Sequence, residues 1–235
     1  MEGMSTPAAA EPKPDGRRTA AAARRRLREK EILDATRALF DARGVRDAQI
    51  EDIANAVGIN RAIIYRHFSG KEELFALTLV GYLEQLATRL KDADDERATP
   101  EDRLRALTAA FVDYGLEYPA FVDCALELMR RTGPELLDEI SEGAMYRLGR
   151  SIATCLAMLA ATISAGVERG VFHTEDVDLL ANTLYASGLG GMALARVGMV
   201  VKEAAPGVPT TARLSATQVK EHLIAASVAM AVGAG

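Results

Sequence analysis

The 235-residue sequence contains no tryptophan and only two cysteines, Cys124 and Cys155. Two cysteines cannot build a disulfide framework or a cysteine-rich zinc site. We expect both to be buried free thiols, and a reducing cytoplasm is the simplest setting for them. The sequence therefore gives no indication of a disulfide-stabilised domain.

Long apolar runs are also missing. The N-terminus lacks the apolar core of a signal peptide, and no stretch offers the roughly twenty uninterrupted apolar residues that a membrane-spanning helix needs. The nearest candidate, residues 179–201, contains Asn182, Arg196 and several glycines. We therefore expect a cytoplasmic protein without a membrane partner, in which this stretch forms a dimer surface.

Sequence signatures of catalysis and of cofactor binding are absent as well. Beyond residue 72 the histidines are His173 and His222, which lie far apart and lack metal-ligand spacing. No P-loop, GxSxG nucleophile motif or dinucleotide fingerprint occurs. We predict no catalytic residue, no metal ligand and no cofactor, and we expect that the protein is not an enzyme.

Charge is distributed unevenly along the chain, whose net charge is −5. Residues 1–72 contain 14 Lys and Arg against 11 Asp and Glu, whereas residues 73–235 contain 14 against 22. The basic excess is concentrated at Arg17, Arg18, Arg24, Arg25, Arg26, Arg28 and Lys30. An acidic protein with one cationic end is typical of local contact with a polyanion.

The composition, 49% hydrophobic and 26% charged, is ordinary for a globular protein, and abundant Ala with Gly and Pro confined to a few places favours helices over sheets. Residues 1–23 are rich in Ala, Pro and charge, which predicts a disordered basic arm. From Arg24 the apolar residues repeat at helical spacing, until Gly44 ends the first helix.

Two short helices then follow around Gly58. The first carries Ile50, Ile53, Ala54 and Val57 at i, i+3, i+4 and i+7, and the second is expected over about residues 61–68. Two short helices joined by a tight turn, with a third upstream, describe a helix-turn-helix. Ser69 and Glu72 predict a capping box that opens a fourth, long helix.

Helices are predicted throughout the remainder of the chain, since no convincing strand-like alternation occurs. One is expected over about residues 175–202 and the last over about 216–232, with a loop punctuated by Pro206 and Pro209 between them. The predicted fold is all-α, with a three-helix helix-turn-helix domain over residues 24–72 and a larger helical domain over residues 73–235.

Helical geometry sorts the second short helix into two faces. At about 100° per residue, Ile64 and Phe68 fall within about 40° of each other and form a buried stripe. The remaining positions project away from this stripe: Arg61, Ala62, Ile63, Tyr65, Arg66 and His67. Such a mixed face suits the DNA major groove, which offers base acceptors, thymine methyl groups and flanking phosphates.

The run IEDIANAVGINRAIIYRHFSGKEELF, residues 50–75, resembles the N-terminal DNA-binding domain of the TetR family of transcriptional regulators. Its most specific part is an aromatic residue two positions before His-Phe, with a lysine three residues after the phenylalanine. The resemblance implies that Tyr65, His67 and Lys71 contact DNA phosphates. It implies base-edge contacts for Arg61 and Ala62, and either kind for Arg66.

Two positions depart from the common family pattern. Gln49 stands where threonine commonly caps the second helix, and glutamine is a poorer cap. Ile63 stands where threonine or serine is common, and it offers only apolar contact, for example to a thymine methyl group. Arg46, just before the second helix, is interpreted either as a solvated charge or as a phosphate contact. The arm either tracks the DNA or only improves solubility.

The larger domain offers apolar helix surface with scattered polar groups. Core packing explains each residue singly, but aromatic and methionine side chains with few charges together suit a pocket for an apolar or amphipathic molecule. The family resemblance likewise implies an effector site in this region. The candidate lining residues are Phe111, Tyr114, Phe121, Met129, Met145, Leu148, Ile152 and Leu156.

The last two helices predict a homodimer interface, because small and apolar residues along one face allow close helix approach. The candidate residues are Leu180, Leu184, Gly188, Gly191, Leu223 and Ala226. Two such helices from each subunit form a four-helix bundle about a two-fold axis. A two-fold protein with two recognition helices predicts a palindromic operator in double-stranded DNA.

Together these features predict a ligand-responsive transcriptional regulator, a repressor that a small apolar molecule releases from its operator. Two alternatives stay open at this stage. One is a DNA-binding regulator without a small-molecule effector. The other is a helical small-molecule-binding protein or enzyme whose helix-turn-helix is vestigial.

Overall fold

The computed structural model describes residues 16–233, which form ten helices and one two-stranded sheet. The helices are α1 (Gly16–Arg43), α2 (Ile50–Val57), α3 (Arg61–His67), α4 (Lys71–Ala93), α5 (Pro100–Glu117), α6 (Pro119–Met129), α7 (Gly133–Glu139), α8 (Glu142–Glu168), α9 (Val177–Val197) and α10 (Ala216–Val232). The strands, β1 (Met199–Ala205) and β2 (Val208–Arg213), lie between α9 and α10. The helical architecture confirms the predicted class, with one hairpin added.

Helix α1 is longer than the sequence suggested. It begins at Gly16, so the prediction of a disordered arm is wrong for residues 16–23, while residues 1–15 lie outside the described part of the chain. Residues 19–27 are all exposed. Alanine has the highest helix propensity of any residue type. The run of alanines at residues 20–23 therefore favours extension of the helix.

The two short helices pack as predicted. Ile64 and Phe68 are both buried, together with Ile53 of α2 and Phe40 of α1. Gly58 ends α2 with a left-handed backbone, at φ 69°, which a glycine adopts without strain. The Phe40 ring meets the Phe75 ring edge-on at 5.0 Å between centroids, so the core of the small domain continues directly into α4.

The start of α4 differs from the predicted capping box. Gly70 is the N-cap residue, so Glu73 and not Glu72 occupies the third helical position. The carboxylate of Glu73 accepts a hydrogen bond from the backbone N–H of Ser69 at 2.7 Å. Glu72 and Glu73 both follow Ser69 in the sequence. The residue at which α4 begins decides which of the two carboxylates accepts the hydrogen bond from the Ser69 backbone N–H.

Helix α4 is the central element of the larger domain, with buried residues along its whole length, including Leu74, Tyr82 and Leu86. Helices α5, α6 and α8 pack against it. The thiols of Cys124 and Cys155 are buried and free, as predicted. Burial raises the pKa of the Cys155 thiol to about 12, so this cysteine remains protonated at neutral pH.

The chain between α9 and α10 forms a hairpin, which corrects two predictions. Helix α9 ends at Val197, before Gly198 adopts a left-handed backbone at φ 71°, so the helix does not reach residue 202. Residues 199–213 pair as antiparallel strands where a loop was expected. Valines and threonines in this segment favour extended backbone, because branching at Cβ restricts their side chains in a helix.

Helix α8 is the one helix within residues 16–233 that is long and apolar enough to cross a membrane by length and composition. Core helices of globular proteins pass the same test. Here Leu148, Cys155 and Ile163 of α8 are buried against the other helices of the larger domain. Only 22% of its most apolar window is buried, so α8 packs one side against the core and leaves much of its apolar surface exposed or half-buried.

Candidate DNA-binding surface and ligand cavity

Helix α3 is short and defined at both ends. The side chain of Asn60 accepts a hydrogen bond from the backbone N–H of Ala62 at 2.8 Å, which caps the first turn. Phe68 has an extended backbone and ends the helix after His67. This cap was not singled out from the sequence, although asparagine just before a short helix is a usual cap residue.

The predicted DNA-contacting residues of α3 lie where the helical geometry placed them. Arg61, Ala62, Tyr65 and Arg66 are exposed, and Ile63 is half-buried. Tyr65 leaves 48% of its surface to solvent, although it is a large aromatic residue beside a buried stripe. The face opposite the core is therefore available to a large ligand and combines cationic, aromatic and apolar groups.

Arg61 is held by a neighbour in the helix-turn-helix. Its guanidinium forms an ion pair with Glu51 of α2 and lies 5.9 Å from the centre of the Tyr65 ring. The hydrogen bond from Arg61 lowers the pKa of the Glu51 carboxyl group. Both charged groups are exposed, and such pairs contribute little to stability. Arg61 can therefore exchange Glu51 for a nucleic-acid acceptor at small cost.

Three further cations flank this face. Arg46, in the loop before α2, and Lys71, at the start of α4, are exposed and line one cleft together, and Arg66 lies on α3 itself. Within the described ranges no carboxylate forms an ion pair with any of the three. The ammonium group of Lys71 lies 5.0 Å from the centre of the Phe75 ring, at the first residue of α4.

His67 is half-buried at the end of α3. Its Nδ1 atom is buried and has no hydrogen-bond partner. Burial lowers the pKa of this imidazole, and the positive charge of Arg25 lowers it further, against an opposing effect of Glu29. His67 is therefore uncharged at neutral pH. Its proximity to the arginines of α1 was not predicted, because it depends on how α1 packs on α3.

Gln49 occupies the N-cap position of α2 and is exposed. Its backbone N–H donates a hydrogen bond to the carboxylate of Asp52 at 3.2 Å, so an acidic residue supports the start of this helix. Asp52 also lies 3.4 Å from the guanidinium of Arg43 at the end of α1. The loop that carries Arg46 and Gln49 is thus held between two helix ends.

A partly open cavity of about 70 Å³ lies in the larger domain, lined by side chains from α4, α5, α8, α9 and α10. This volume is several times the space that one water molecule needs. Of the predicted lining residues, Phe111 of α5 and Leu156 of α8 line this cavity. Tyr185 and Ser187 of α9 line it as well and were not predicted.

The other predicted lining residues lie elsewhere. Tyr114, Phe121 and Leu148 are buried in the core, and the Tyr114 hydroxyl donates a hydrogen bond to the backbone carbonyl of Tyr82 at 2.9 Å. Met129 is 53% exposed at the end of α6. Met145 and Ile152 are half-buried on α8, outside the cavity wall.

The glycines of α9 explain how closely its neighbours approach. A Cβ atom on Gly188 would lie 2.5 Å from the Phe111 ring, and one on Gly191 would lie 2.8 Å from Leu223. Both glycines therefore pack against helices of the same subunit. Leu184, Leu223 and Ala226, predicted at the dimer interface, also line the cavity. Leu180 is half-buried on the same helix.

The outward side of α9 and α10 is apolar too. On α9 this side consists of residues at helical spacing that are exposed or half-buried: Leu179, Thr183, Ala186, Gly190, Leu194 and Val197. On α10 the corresponding exposed residues are His222, Ala225, Ala229 and Val232. We call these residues the outer face of α9 and α10. Besides Thr183 and His222 it carries small and large apolar side chains, and no lysine, arginine or carboxylate is among the residues so defined.

Comparison with known proteins agrees with this geometry. Residues 32–78 match the family model described as bacterial regulatory proteins of the TetR family. The transcriptional repressor KstR2 of Mycobacterium tuberculosis is 39% identical over 80 residues, which are 34% of this chain and 40% of the relative. The transcriptional activator FasR of Mycolicibacterium smegmatis is 31% identical over 84 residues, or 36% and 38% of the two chains.

These curated relatives are matched over about 40% of their own length. They are transcriptional regulators by name, which agrees with the expectation that the chain is not an enzyme. Solved structures extend the likeness to most of the chain. That of KstR2 from Mycobacterium tuberculosis has a TM-score of 0.55 at 25% identity and covers 86% of this chain and 93% of its own.

A second solved structure shows the same fold at lower identity. RolR in complex with resorcinol has a TM-score of 0.65 at 18% identity and covers 89% of this chain and 90% of its own. The small domain thus matches a family model and curated relatives, and the helical architecture of the chain matches the solved structures of KstR2 and RolR. Residues 32–78 therefore resemble the DNA-binding domain of the TetR family of bacterial regulatory proteins, and the rest of the chain shares the helical fold of the solved regulators.

Proposed function

We propose that the chain is a transcriptional repressor that binds a palindromic operator as a homodimer and leaves it when a small apolar molecule fills the cavity. The observation that carries this proposal is the exposed face of α3. It combines Arg61, Tyr65 and Arg66 with flanking Arg46 and Lys71, in a chain whose net charge is negative. The relative KstR2, named a repressor, supports the direction of control.

In this proposal the face of α3 enters the major groove. Arg61 exchanges Glu51 for a base edge, and Ala62 lets the helix backbone approach closely. Ile63 contacts a thymine methyl group, because its side chain offers no hydrogen bond. The phosphate contacts come from Tyr65, His67 and Lys71 on α3 and at the start of α4, with Arg46, Gln49 and Arg66 available at the edges.

The proposed dimer uses the outer face of α9 and α10. Leu194 and Val197 leave 43% and 59% of their surfaces exposed, and Leu179 leaves 64%, although all three are large apolar side chains. Burying them against the same face of a second subunit removes apolar surface from water, which is favourable. The interface therefore lies on the side of α9 opposite to Gly188 and Leu184, which serve packing within the subunit.

Helix α4 connects the two activities. Its C-terminal half contributes Leu86 and Leu90 to the cavity wall, and its first residue is Lys71 beside α3. A ligand that favours one position of this helix shifts the population between two arrangements of the recognition helices. Binding of the effector then lowers the affinity for the operator, because the two ligands favour different arrangements of the dimer.

Selection of bound sequences from random DNA tests the proposal. We expect enrichment of a two-fold symmetric site whose half-sites are about one helical turn of DNA apart or a multiple of it. Arg66→Ala should weaken binding to the selected site, whereas Arg97→Ala, in an exposed loop far from α3 in sequence, should not. Enrichment of no symmetric sequence would contradict the proposed function.

A reporter gene placed behind the selected site distinguishes repression from activation. Repression predicts higher reporter expression when the gene for this chain is deleted, and activation predicts lower expression. The effector is then sought as a compound that lowers operator affinity in the purified system. A regulator without an effector predicts equal operator affinity for every compound that binds the cavity.

A further inference from the structure

We propose that the cavity binds an uncharged, largely hydrocarbon ligand through one hydroxyl or carbonyl group, which pairs with the hydroxyl of Tyr185. This inference rests on the proposed function and adds the chemical class of the effector. It is carried by the composition of the cavity wall and by the hydrogen bonds that the polar groups in that wall already make.

The wall of the cavity contains no lysine, arginine, histidine or carboxylate side chain. It is formed largely by leucines, including Leu86 and Leu107, together with Phe111, Met158 and Met230. An ion transferred from water into such surroundings loses its hydration and meets no counter-charge, so the charged form is strongly disfavoured. Carboxylate, phosphate and ammonium ligands are therefore excluded from the enclosed part of the cavity.

Most polar groups in the wall already have partners. The Thr108 hydroxyl donates to the Ser227 hydroxyl at 3.1 Å, and that hydroxyl donates to the Ile224 carbonyl at 2.8 Å. The Cys155 thiol donates to the Leu83 carbonyl at 3.4 Å. These contacts connect α5 to α10 and α8 to α4, so they support the wall and leave little capacity for a ligand.

Tyr185 is different from these groups. Its ring packs at 5.6 Å between centroids against Phe111, which fixes its direction, and it lines the cavity. No residue among 16–233 forms a hydrogen bond with its hydroxyl. Burial raises the pKa of this phenol above its usual value, so the group stays protonated and can both donate and accept. Ser187, also in the wall, is exposed to solvent.

Tyr185 is half-buried, and a hydroxyl in the cavity wall without a partner inside the protein can pair with a ligand without breaking an existing protein hydrogen bond. The present volume of about 70 Å³ is smaller than the roughly 150 Å³ of an engineered cavity that binds benzene, so a ring compound requires the wall to expand. The unbranched Met158 and Met230 side chains allow the wall to adapt in this way. We therefore expect the cavity to favour ligands that carry one polar group on an otherwise apolar skeleton.

Three compounds with the same skeleton test this inference by calorimetric titration at pH 7: p-xylene, p-cresol and p-toluate. They carry a methyl group, a neutral hydroxyl and a carboxylate at the same position. The proteins are the wild type, Tyr185→Phe and the control Tyr146→Phe, which removes a hydroxyl from a tyrosine that is 70% exposed on α8. Tyr185→Phe removes no existing hydrogen bond, so the variant should fold.

We expect wild type to bind p-cresol and p-xylene, and to bind p-toluate more than about 100-fold more weakly than p-cresol. Tyr185→Phe should weaken p-cresol binding about five-fold and leave p-xylene binding unchanged within two-fold. Tyr146→Phe should change neither. The comparison between the two neutral compounds isolates the hydroxyl contact from the general apolar affinity of the cavity.

Three outcomes would overturn the inference: p-toluate binding as tightly as p-cresol, Tyr185→Phe affecting both neutral compounds equally or not at all, or no binding of any compound to wild type. None of them bears on the selection of operator DNA. Conversely, a chain that binds p-cresol through Tyr185 but selects no symmetric DNA site would keep the ligand class and lose the proposed function.

Discussion

The carboxylate of Glu73 accepts a hydrogen bond from the hydroxyl of Ser141 at 2.6 Å, although the two residues are 68 positions apart in the chain. Its other oxygen accepts from the backbone N–H of Ser69 at 2.7 Å. One buried carboxylate therefore ties the turn after α3 to the N-cap of α8. The Ser69 hydroxyl adds a contact to the Glu139 carbonyl at 3.3 Å.

Glu73→Gln should lower the free energy of unfolding at pH 7 by about 1–3 kcal/mol, because the hydrogen bonds to a charged acceptor are weakened. Burial alone raises the pKa of Glu73, but the hydrogen bonds from Ser141 and Ser69 outweigh it and leave the pKa below its ordinary 4.5. A lowered folded-state pKa means that this stability is present above pH 4.5 and is lost as the pH falls below it.

Urea unfolding of wild type and Glu73→Gln at pH 7 and at acid pH measures this effect. The difference between the two proteins should shrink as the pH falls from 4.5. Glu175→Gln, an exposed glutamate before α9, serves as the control and should show no such difference. An unfolding free energy of Glu73→Gln equal to that of wild type at pH 7 would refute the assignment.

Arg131 should matter for stability while its neighbour Arg130 should not. Arg131 contacts Glu72 of α4 at 3.2 Å, Glu139 of α7 at 2.7 Å and Glu127 of α6 at 3.3 Å. Arg130 makes one exposed contact, to Glu127 at 3.6 Å. We expect Arg131→Ala to cost about 1–2 kcal/mol and Arg130→Ala less than about 0.5 kcal/mol, measured by chemical unfolding.

Lys71→Ala should weaken operator binding and reduce its dependence on salt. Each lost phosphate contact lowers the slope of log affinity against log salt concentration by about one. The loss should be similar for the selected operator and for random DNA, because phosphates carry no sequence information. Lys91→Ala, at the other end of α4, is the matched control. An unchanged salt slope for Lys71→Ala would remove this residue from the proposed interface.

Ile63→Thr should change which operator is preferred more than how tightly DNA is bound. Threonine keeps one methyl group and adds a hydroxyl that can form a hydrogen bond with a base edge. We therefore expect the binding free energy to shift by about 1 kcal/mol away from sites with thymine at the contacted position and toward sites with a base that accepts or donates this hydrogen bond. Repeating the sequence selection with the variant measures the shift. Ile63→Val keeps the apolar contact, and its selected sites should match those of wild type.

Leu194→Asp should weaken the dimer by placing a charge on the outer face of α9 and α10. Sedimentation equilibrium is expected to show at least a ten-fold rise in the dissociation constant, since a buried unpaired carboxylate costs more than about 1.4 kcal/mol. Val201→Asp, on the exposed strand β1, is the control and should leave the dimer intact. If only Val201→Asp dissociates the dimer, the hairpin forms the interface instead.

The small domain was largely predictable because its information is local. The spacing of Ile64 and Phe68 on one helix fixes which side is buried, and Gly58 fixes where α2 ends. The pairing of Arg61 with Glu51 was not predictable, since it depends on the angle between α2 and α3. The contacts of His67 likewise depend on the position of α1.

The larger domain was predictable in class but not in detail. Helical periodicity marks apolar positions without telling which of them face a cavity, the core or a second subunit. Tyr185 was overlooked because its helix was assigned to the dimer, although it lines the cavity. Met129 looked like a lining residue, but α6 ends there and leaves it exposed. The hairpin was overlooked because a Val-Val pair continues the apolar run of α9.

Helices α9 and α10 separate two surfaces by the thickness of a single helix, about 10 Å. Gly188 and Leu223 face the ligand cavity on the inside, while Leu194 and Val232 face outward. If the outward side meets the partner, the two cavities of a dimer share one continuous wall. Effector titrations should then be cooperative, with a Hill coefficient different from one, and the cooperativity should vanish for Leu194→Asp at protein concentrations where that variant has dissociated.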